Sequence, residues 1–342
     1  MKGVILAAGQ GTRMLPLTER RPKPLVPVLD RPMIEHIIGG ARDAGFDHLC
    51  LIVAYKGEMI CDHFGDGSRL GVRIEYVWQE GPAGTGAATL MAEDFVGDEP
   101  FFLSWGDIIV GPKTYQNVAR AWREEHPQAV LSLNWVEDPC EGAAVYVDSE
   151  GYLNQIIEKP ERGTSTTHFN NAGIFVFGPE LFDILKGLPD SPRGEKEMPD
   201  AVKAMMAQGA KIRGLEVEGY WSDVARPSTV LSLNSALIRY REPSGIIIDP
   251  TAEIGVGCTL EPPVYIGPGC SLRGCHVGPD AVLVRDVEVG LGACVARAMC
   301  FGGNAIGDGA IVRDAILEEG AVVQTALTLE GEPATPAVRQ RA

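Results

Sequence analysis

Residues 6–37 read LAAGQGTRMLPLTERRPKPLVPVLDRPMIEHI. A short apolar strand, Gly3–Ala8, empties into the loop Gly9-Gln10-Gly11-Thr12. Arg13 follows at once, a Pro-Lys-Pro turn sets Lys23, and an amphipathic helix is expected over Met33–Ala44. A strand ending in glycines lets backbone N–H groups face a phosphate with no side chain in the way. The cations Arg13 and Lys23 are then spaced to hold the rest of a polyphosphate. The loop is neither of the two common phosphate loops: GxxxxGK[ST] is absent, and Met14 stands where GxGxxG needs its third glycine. A lone Gly-x-Gly reads equally well as an ordinary strand-to-helix turn. The added Thr-Arg and the Arg-Pro-Lys-Pro-Leu run favour phosphate binding.

LAAGxGTR followed by RPKPLVPV resembles the signature of the sugar-1-phosphate nucleotidylyltransferases, or NDP-sugar pyrophosphorylases. The resemblance covers residues 1 to about 240, with later motifs in the family's order. It implies exchange of a nucleoside triphosphate and a hexose 1-phosphate for an NDP-sugar and pyrophosphate, with Mg²⁺ as cofactor. It assigns Leu6, Ala8, Gly9, Gly11, Thr12 and Arg13 to the nucleotide.

The composition sets outer bounds. The chain of 342 residues, 45% hydrophobic and 22% charged, is long enough for one large α/β domain and a smaller one. No apolar run is long enough to span a membrane. Met1-Lys2-Gly3 leads straight into the first strand, which leaves no room for a signal peptide. A net charge of −16 argues against nucleic acid or an anionic membrane as partner. Eight cysteines without a CxxC pair read as reduced thiols in a cytoplasmic protein, and no Cys/His spacing suits zinc.

Strand-like runs at Gly3–Ala8, Leu49–Ala54, Arg73–Trp78, Phe101–Ser104 and Ala129–Val136 alternate with helix-like runs at Ile34–Ala44, Gly86–Ala92 and Tyr115–Glu125. That alternation predicts a Rossmann-like α/β domain over 1–242, with a mostly parallel sheet and its site beyond the carboxyl ends of the strands. A strand-rich excursion follows (Ala143–Val147, Leu153–Glu158, Asn171–Phe177), then helices at Met198–Gln208 and Pro227–Tyr240. From Ile248 an aliphatic residue recurs mostly every six residues, at 254, 260, 266, 272, 277, 283, 289, 295, 306, 312, 317, 323 and 329. Small or β-branched residues such as Cys258, Val264 and Cys270 fall four places after an aliphatic one. Neither a 3.6 nor a 2 period fits, and the hexad predicts a left-handed parallel β-helix of hexapeptide repeats over 245–330, with both positions facing inward. Four to five coils are expected, and 331–342 reads as a flexible tail.

Asp107 stands just past the strand Phe101–Ser104, and Asp223 lies in Gly219-Tyr220-Trp221-Ser222-Asp223. Either aspartate alone reads as a cap or turn former. The resemblance makes both the metal ligands, and Mg²⁺ needs only one or two carboxylates besides phosphate oxygens. Gln79, Gly84 and Thr85 match the family's base-reading loop. Gln79 offers both donor and acceptor, as uracil, thymine or guanine requires, so UTP, dTTP and GTP all stay open. Gly142, Glu158, Lys159 and Asn171 line up with the sugar-phosphate side. The resemblance gives Glu158 and Asn171 the sugar hydroxyls and Lys159 the phosphate; alone, Glu-Lys-Pro reads as a surface turn. Ala225 replaces a glycine that many relatives carry near the metal ligand.

The expected chemistry is in-line displacement at the α-phosphorus, with Arg13, Lys23 and Lys159 as the catalytic cations and no general base. Two other readings are an amino-sugar-phosphate acetyltransferase on the β-helix, for which only His276 could serve as base, and a non-catalytic interaction subunit of the same architecture. The apolar Pro227–Tyr240 helix and the flat β-helix faces suggest a homo-oligomer.

Overall fold

The computed structural model describes residues 1–341 except 82, 83, 190, 192 and 193. Pro82 and Ala83, part of the loop expected to read the base, lie outside the described residues. Contacts divide the chain into two units: Met1–Gln10, Pro22–Pro24 and Ile34–Trp221 form the first, and Gly11–Arg21, Leu25–Met33 and Ser222–Ala342 the second.

The first unit is built on a parallel core in the strand order 73–78, 48–53, 2–7, 101–105. Its register is set by pairs such as Val4↔Cys50 and Leu6↔Trp105. Strands 2–7, 48–53 and 101–105 are buried along nearly their whole length and show continuous apolar runs rather than alternation, whereas 73–78 lies at the sheet edge and carries Arg73 and Glu75. Strand Phe169–Phe177 then adds antiparallel to Phe101–Trp105. It carries Ala129–Trp135 and the hairpin of Ala143–Val147 with Leu153–Glu158. Expected strands match to within two residues at each end. The helices Gly57–Phe64 and Glu180–Gly187 and the strand Ile212–Glu216 escaped the sequence reading. Each is short, and propensity is weak over one or two turns.

In the second unit, residues 246–339 form parallel strands on three faces. Neighbouring coils are offset by 18 residues at Ile246↔Val264 and by 17 at Val264↔Ala281 and Ala281↔Ala298. This all-parallel stack is a β-helix. Its core contains Val264, Cys270, Leu272, Val289, Val312 and Val323, each at a position expected to face inward. Ile254 is 38% exposed, because the first coil has a neighbour on one side only. The tail differs from expectation: Ala337–Arg339 is a strand paired with Ala315–Leu317. Reaching it takes 22 residues instead of 17, so the last strand falls outside the hexad count.

Helix Pro227–Arg241 buries Val230, Leu233, Leu237 and Ile238 within its own chain, so this apolar face is not open to a second subunit. It packs with Leu25–Met33 in the same unit. The Leu29 amide donates to Asn234 Oδ1 at 2.7 Å, and Arg241 reaches Asp30 at 3.2 Å. Burial raises the Asp30 carboxyl's pKa, but the hydrogen bond from Arg31 and the charge of Arg241 outweigh it and bring it down to about 2. A carboxyl depressed on folding contributes stability above its unfolded pKa, and that stability is lost as pH falls toward the folded value. Solvent at this exposed position screens part of that gain, so Asp30→Asn is expected to lower stability by about 1 kcal/mol at pH 7. Urea unfolding should show the gap between variant and parent closing as pH drops from 3.8 toward about 2.

Candidate active site

Two adjacent parallel strands, Lys2–Ala7 and Phe101–Trp105, set the position of the phosphate and metal candidates in the first unit. Just past them the Gly106 amide donates to the Leu6 carbonyl at 2.9 Å. A Cβ on Gly106 would stand 2.5 Å from that oxygen, so only glycine lets the chain turn here. The turn delivers Asp107 beside the start of the glycine loop, where Gly9 is exposed with nothing within 4 Å of a Cβ. Lys23 donates to Asp107 Oδ2 at 2.6 Å, with the lysine side chain 10% and the aspartate 32% exposed. The structure thus joins the expected phosphate cation to the expected metal carboxylate. Leu6 and Ala8 are half-buried and pack on the core below.

The second unit carries Gly11, Thr12, Arg13 and Asp223. Gly11 takes φ +65, and its carbonyl accepts from Met14 N at 2.9 Å and from Thr18 Oγ1 at 3.0 Å. That closed loop buries Met14 completely and leaves Thr12 and Arg13 exposed. Asp223 ends the strand Trp221–Asp223, and its carbonyl accepts from the Ala225 amide at 2.9 Å. Ala225 keeps an ordinary negative φ, so replacement of the family's glycine introduces no backbone strain.

Gln79 extends the sheet edge by donating its amide to Val53 at 2.8 Å, while its side chain donates to the Gly81 carbonyl at 2.9 Å. Gly84, with φ +80, lies where a Cβ would stand 2.6 Å from the Lys196 carbonyl. Thr85 Oγ1 accepts from the Met198 amide at 3.1 Å, at the start of helix Met198–Ala207. The Gly-Thr-Gly run therefore locks against the 195–198 segment, a packing reason for its glycines besides any approach to a base.

The four sugar-side candidates converge in the first unit. Pairing of Ala143 with Glu158 lets the Lys159 amide donate to the Gly142 carbonyl at 2.7 Å. Lys159 adopts φ +44, unusual for a non-glycine residue, with its side chain exposed. A Cβ on Gly142 would come within 2.1 Å of Asn170 Oδ1, which accepts from the Ala143 amide. Asn171 Oδ1 accepts from the Gly173 amide at 3.1 Å. Beneath this corner lies a polar layer that sequence reasoning did not assign. Asn170 Nδ2 donates to Asn134 Oδ1 at 3.0 Å, and Asn134 sits in a strand whose one other polar residue is the buried Ser132. The buried donors Asn134 Nδ2, Asn171 Nδ2 and Trp105 Nε1 find no acceptor among the described residues. The one sequence signal was an asparagine at a core-facing strand position, which costs free energy unless it serves recognition or structure.

Among the described residues no three His, Cys, Asp or Glu side chains are grouped to hold a metal. A cation held by one or two carboxylates would complete its shell with phosphate oxygens and water, a set that suits Mg²⁺ rather than zinc.

Comparison with known proteins places the chain in a family. The nucleotidyl transferase family profile matches residues 2–239. The chain is 36% identical over 239 residues to a low-salt glycan biosynthesis nucleotidyltransferase, Agl11, of Haloferax volcanii, covering 70% of this chain and 66% of that protein. It is 36% identical over 240 residues to the bifunctional protein GlmU of Methanococcus maripaludis, 69% of this chain and 54% of the relative. A glucose-1-phosphate thymidylyltransferase of Streptomyces griseus is 30% identical over 258 residues, 75% of this chain and 72% of that protein. The matches thus span from about half to two thirds of the first two relatives. The structure of a UDP-glucose pyrophosphorylase with UDP-glucose shares the fold at TM-score 0.63 and 21% identity, over 70% of this chain and 100% of the other. With its glycine loop, its Lys23–Asp107 pair and a profile match across residues 2–239, the chain belongs to the nucleotidyl transferase family.

Proposed function

We propose that the protein transfers a nucleotidyl group from a nucleoside triphosphate to a hexose 1-phosphate, giving an NDP-sugar and pyrophosphate. The observation that carries this is the Lys23–Asp107 contact of 2.6 Å where two parallel strands end beside a glycine loop. A cation for phosphate and a carboxylate for a metal share one point, as reaction at a polyphosphate requires. The thymidylyltransferase relative makes dTTP with glucose 1-phosphate one substrate pair, with UTP and GTP as the other bases to test.

The sugar 1-phosphate is ionised at neutral pH, so its oxygen attacks the α-phosphorus directly. A new P–O bond forms to the sugar phosphate, the bond between the α-phosphorus and the bridging oxygen breaks, and pyrophosphate leaves with the electron pair. No proton moves, and no general base is required. Lys23 and Arg13 hold the leaving pyrophosphate, and Lys159 holds the incoming phosphate. Asp107 and Asp223 are the residues that would hold Mg²⁺, which when bound neutralises phosphate charge. Asn171 and Glu158 receive sugar hydroxyls, and Gln79 reads the base. Eight free thiols support a reducing, cytoplasmic setting.

Three outcomes are expected. Pyrophosphate release, read over a grid of UTP, dTTP, GTP, CTP and ATP against glucose, mannose, galactose and N-acetylglucosamine 1-phosphates, should single out one pair. Silence across the grid from folded protein would refute the assignment. Lys23→Ala and Asp107→Asn should each lower kcat on that pair by about 10²–10³ with unchanged circular dichroism. Gly142→Ala, which pushes against Asn170, should raise KM for the sugar phosphate about tenfold while leaving KM for the nucleotide unchanged.

A further inference from the structure

The segment bearing Thr12 and Arg13 belongs to the second unit, and what holds it there lies some 300 residues further along the chain. Arg21 closes the segment. Its Nη1 donates to Glu319 Oε1 at 2.9 Å, and its Nη2 donates to Glu319 Oε2, a two-pronged grip on one carboxylate. Nη2 also lies 3.8 Å from Glu318 Oε2. The guanidinium rests over the Phe301 ring, 5.1 Å from its centre. Gln340 Nε2 donates to Glu19 Oε2 at 3.2 Å, and Arg20 Nη2 donates to the Arg341 carbonyl at 3.3 Å. Every one of these partners comes from the last coils of the β-helix or from residues 340 and 341 just past its closing strand.

These contacts differ from ordinary surface ion pairs. The Glu318 side chain is 2% exposed and that of Arg21 15%. Glu318 Oε1 and Arg21 Nε have no hydrogen-bond partner among the described residues. Burial pushes the Glu318 carboxyl up, with the Arg21 charge pulling against it. A buried charge set of this kind is a poor source of stability, and its best-attested use is to specify one arrangement. The arrangement specified here is the path of residues 11–21. Met14 and Leu17 anchor the segment midway, and Thr18 closes it onto Gly11. Arg13 therefore has a defined root on both sides while its own side chain is exposed.

We propose that Arg21 is a positioning residue: gripped by Glu319 beside Glu318 and Phe301, it fixes the Gly11–Arg21 segment and with it the placement of Arg13 on the triphosphate. The role in catalysis rests on the function proposed above; the clamping of the segment does not.

The test uses the full chain. Arg21→Ala is expected to speed amide hydrogen exchange in peptides covering residues 11–21, with the central sheet strands unchanged. It should also lower kcat/KM for the nucleotide by about 10²-fold, the loss typical of a small misplacement. In an Arg13→Ala background the same change should lower kcat/KM less than about threefold further, because the clamp acts through Arg13. Unchanged exchange, or a full additional loss in that background, would overturn the proposal. Should Arg21→Ala fail to fold, Glu319→Ala, at a position 41% exposed, carries both readouts. If the parent shows no transfer on any substrate pair while exchange responds as expected, the clamp stands and the functional reading falls.

Discussion

Much of the site follows from one short contact, the Gly106 amide on the Leu6 carbonyl at 2.9 Å. Two parallel strands can close on each other this tightly only where no Cβ intervenes, and a Cβ on Gly106 would stand 2.5 Å from the oxygen. The closure places Asp107 at the strand end from which the glycine loop departs. Lys23 is turned toward the same point by prolines on either side, each of which fixes φ. An ammonium 10% exposed against a carboxylate is a weak choice for stability, since desolvation offsets much of the attraction. Its position fits the phosphate-binding role proposed for Lys23.

The two architectures were legible for different reasons. The inner strands of the parallel core, 2–7, 48–53 and 101–105, read as runs of apolar residues, and the more exposed strands Arg73–Trp78 and Leu153–Glu158 were read to the residue. The β-helix was legible through its period. Six- and five-residue steps add to the 17- and 18-residue offsets between coils, and the inward positions follow. Where the period broke, the reading broke: residues 331–336 lengthen the last return, and the strand Ala337–Arg339 was taken for tail.

The site was less legible because its residues answer to neighbours distant in sequence. Gly84 looked like a residue leaving room for a base, yet its closest constraint is the Lys196 carbonyl. Asn134 gave no motif at all. Its meaning comes from Asn170, 36 positions away, and from the strand register that joins them. Gly142 was chosen by likeness to a family, and the structure supplies a cause, the Asn170 oxygen that fills the space of its Cβ. Such pairings are set by sheet order, which local patterns do not encode.

The bond between Arg21 and Glu319 spans 298 positions, so the earliest-made part of the second unit must wait for nearly the whole chain. At about 5–20 residues per second, that is roughly 15–60 s of synthesis during which residues 11–21 lack the partners that hold them. The sheet of the first unit draws its strands from residues 2–216 and can assemble within that interval. On the ribosome the fold is thus completed out of sequence order, with residues 11–21 near the start among the last parts to take their final form.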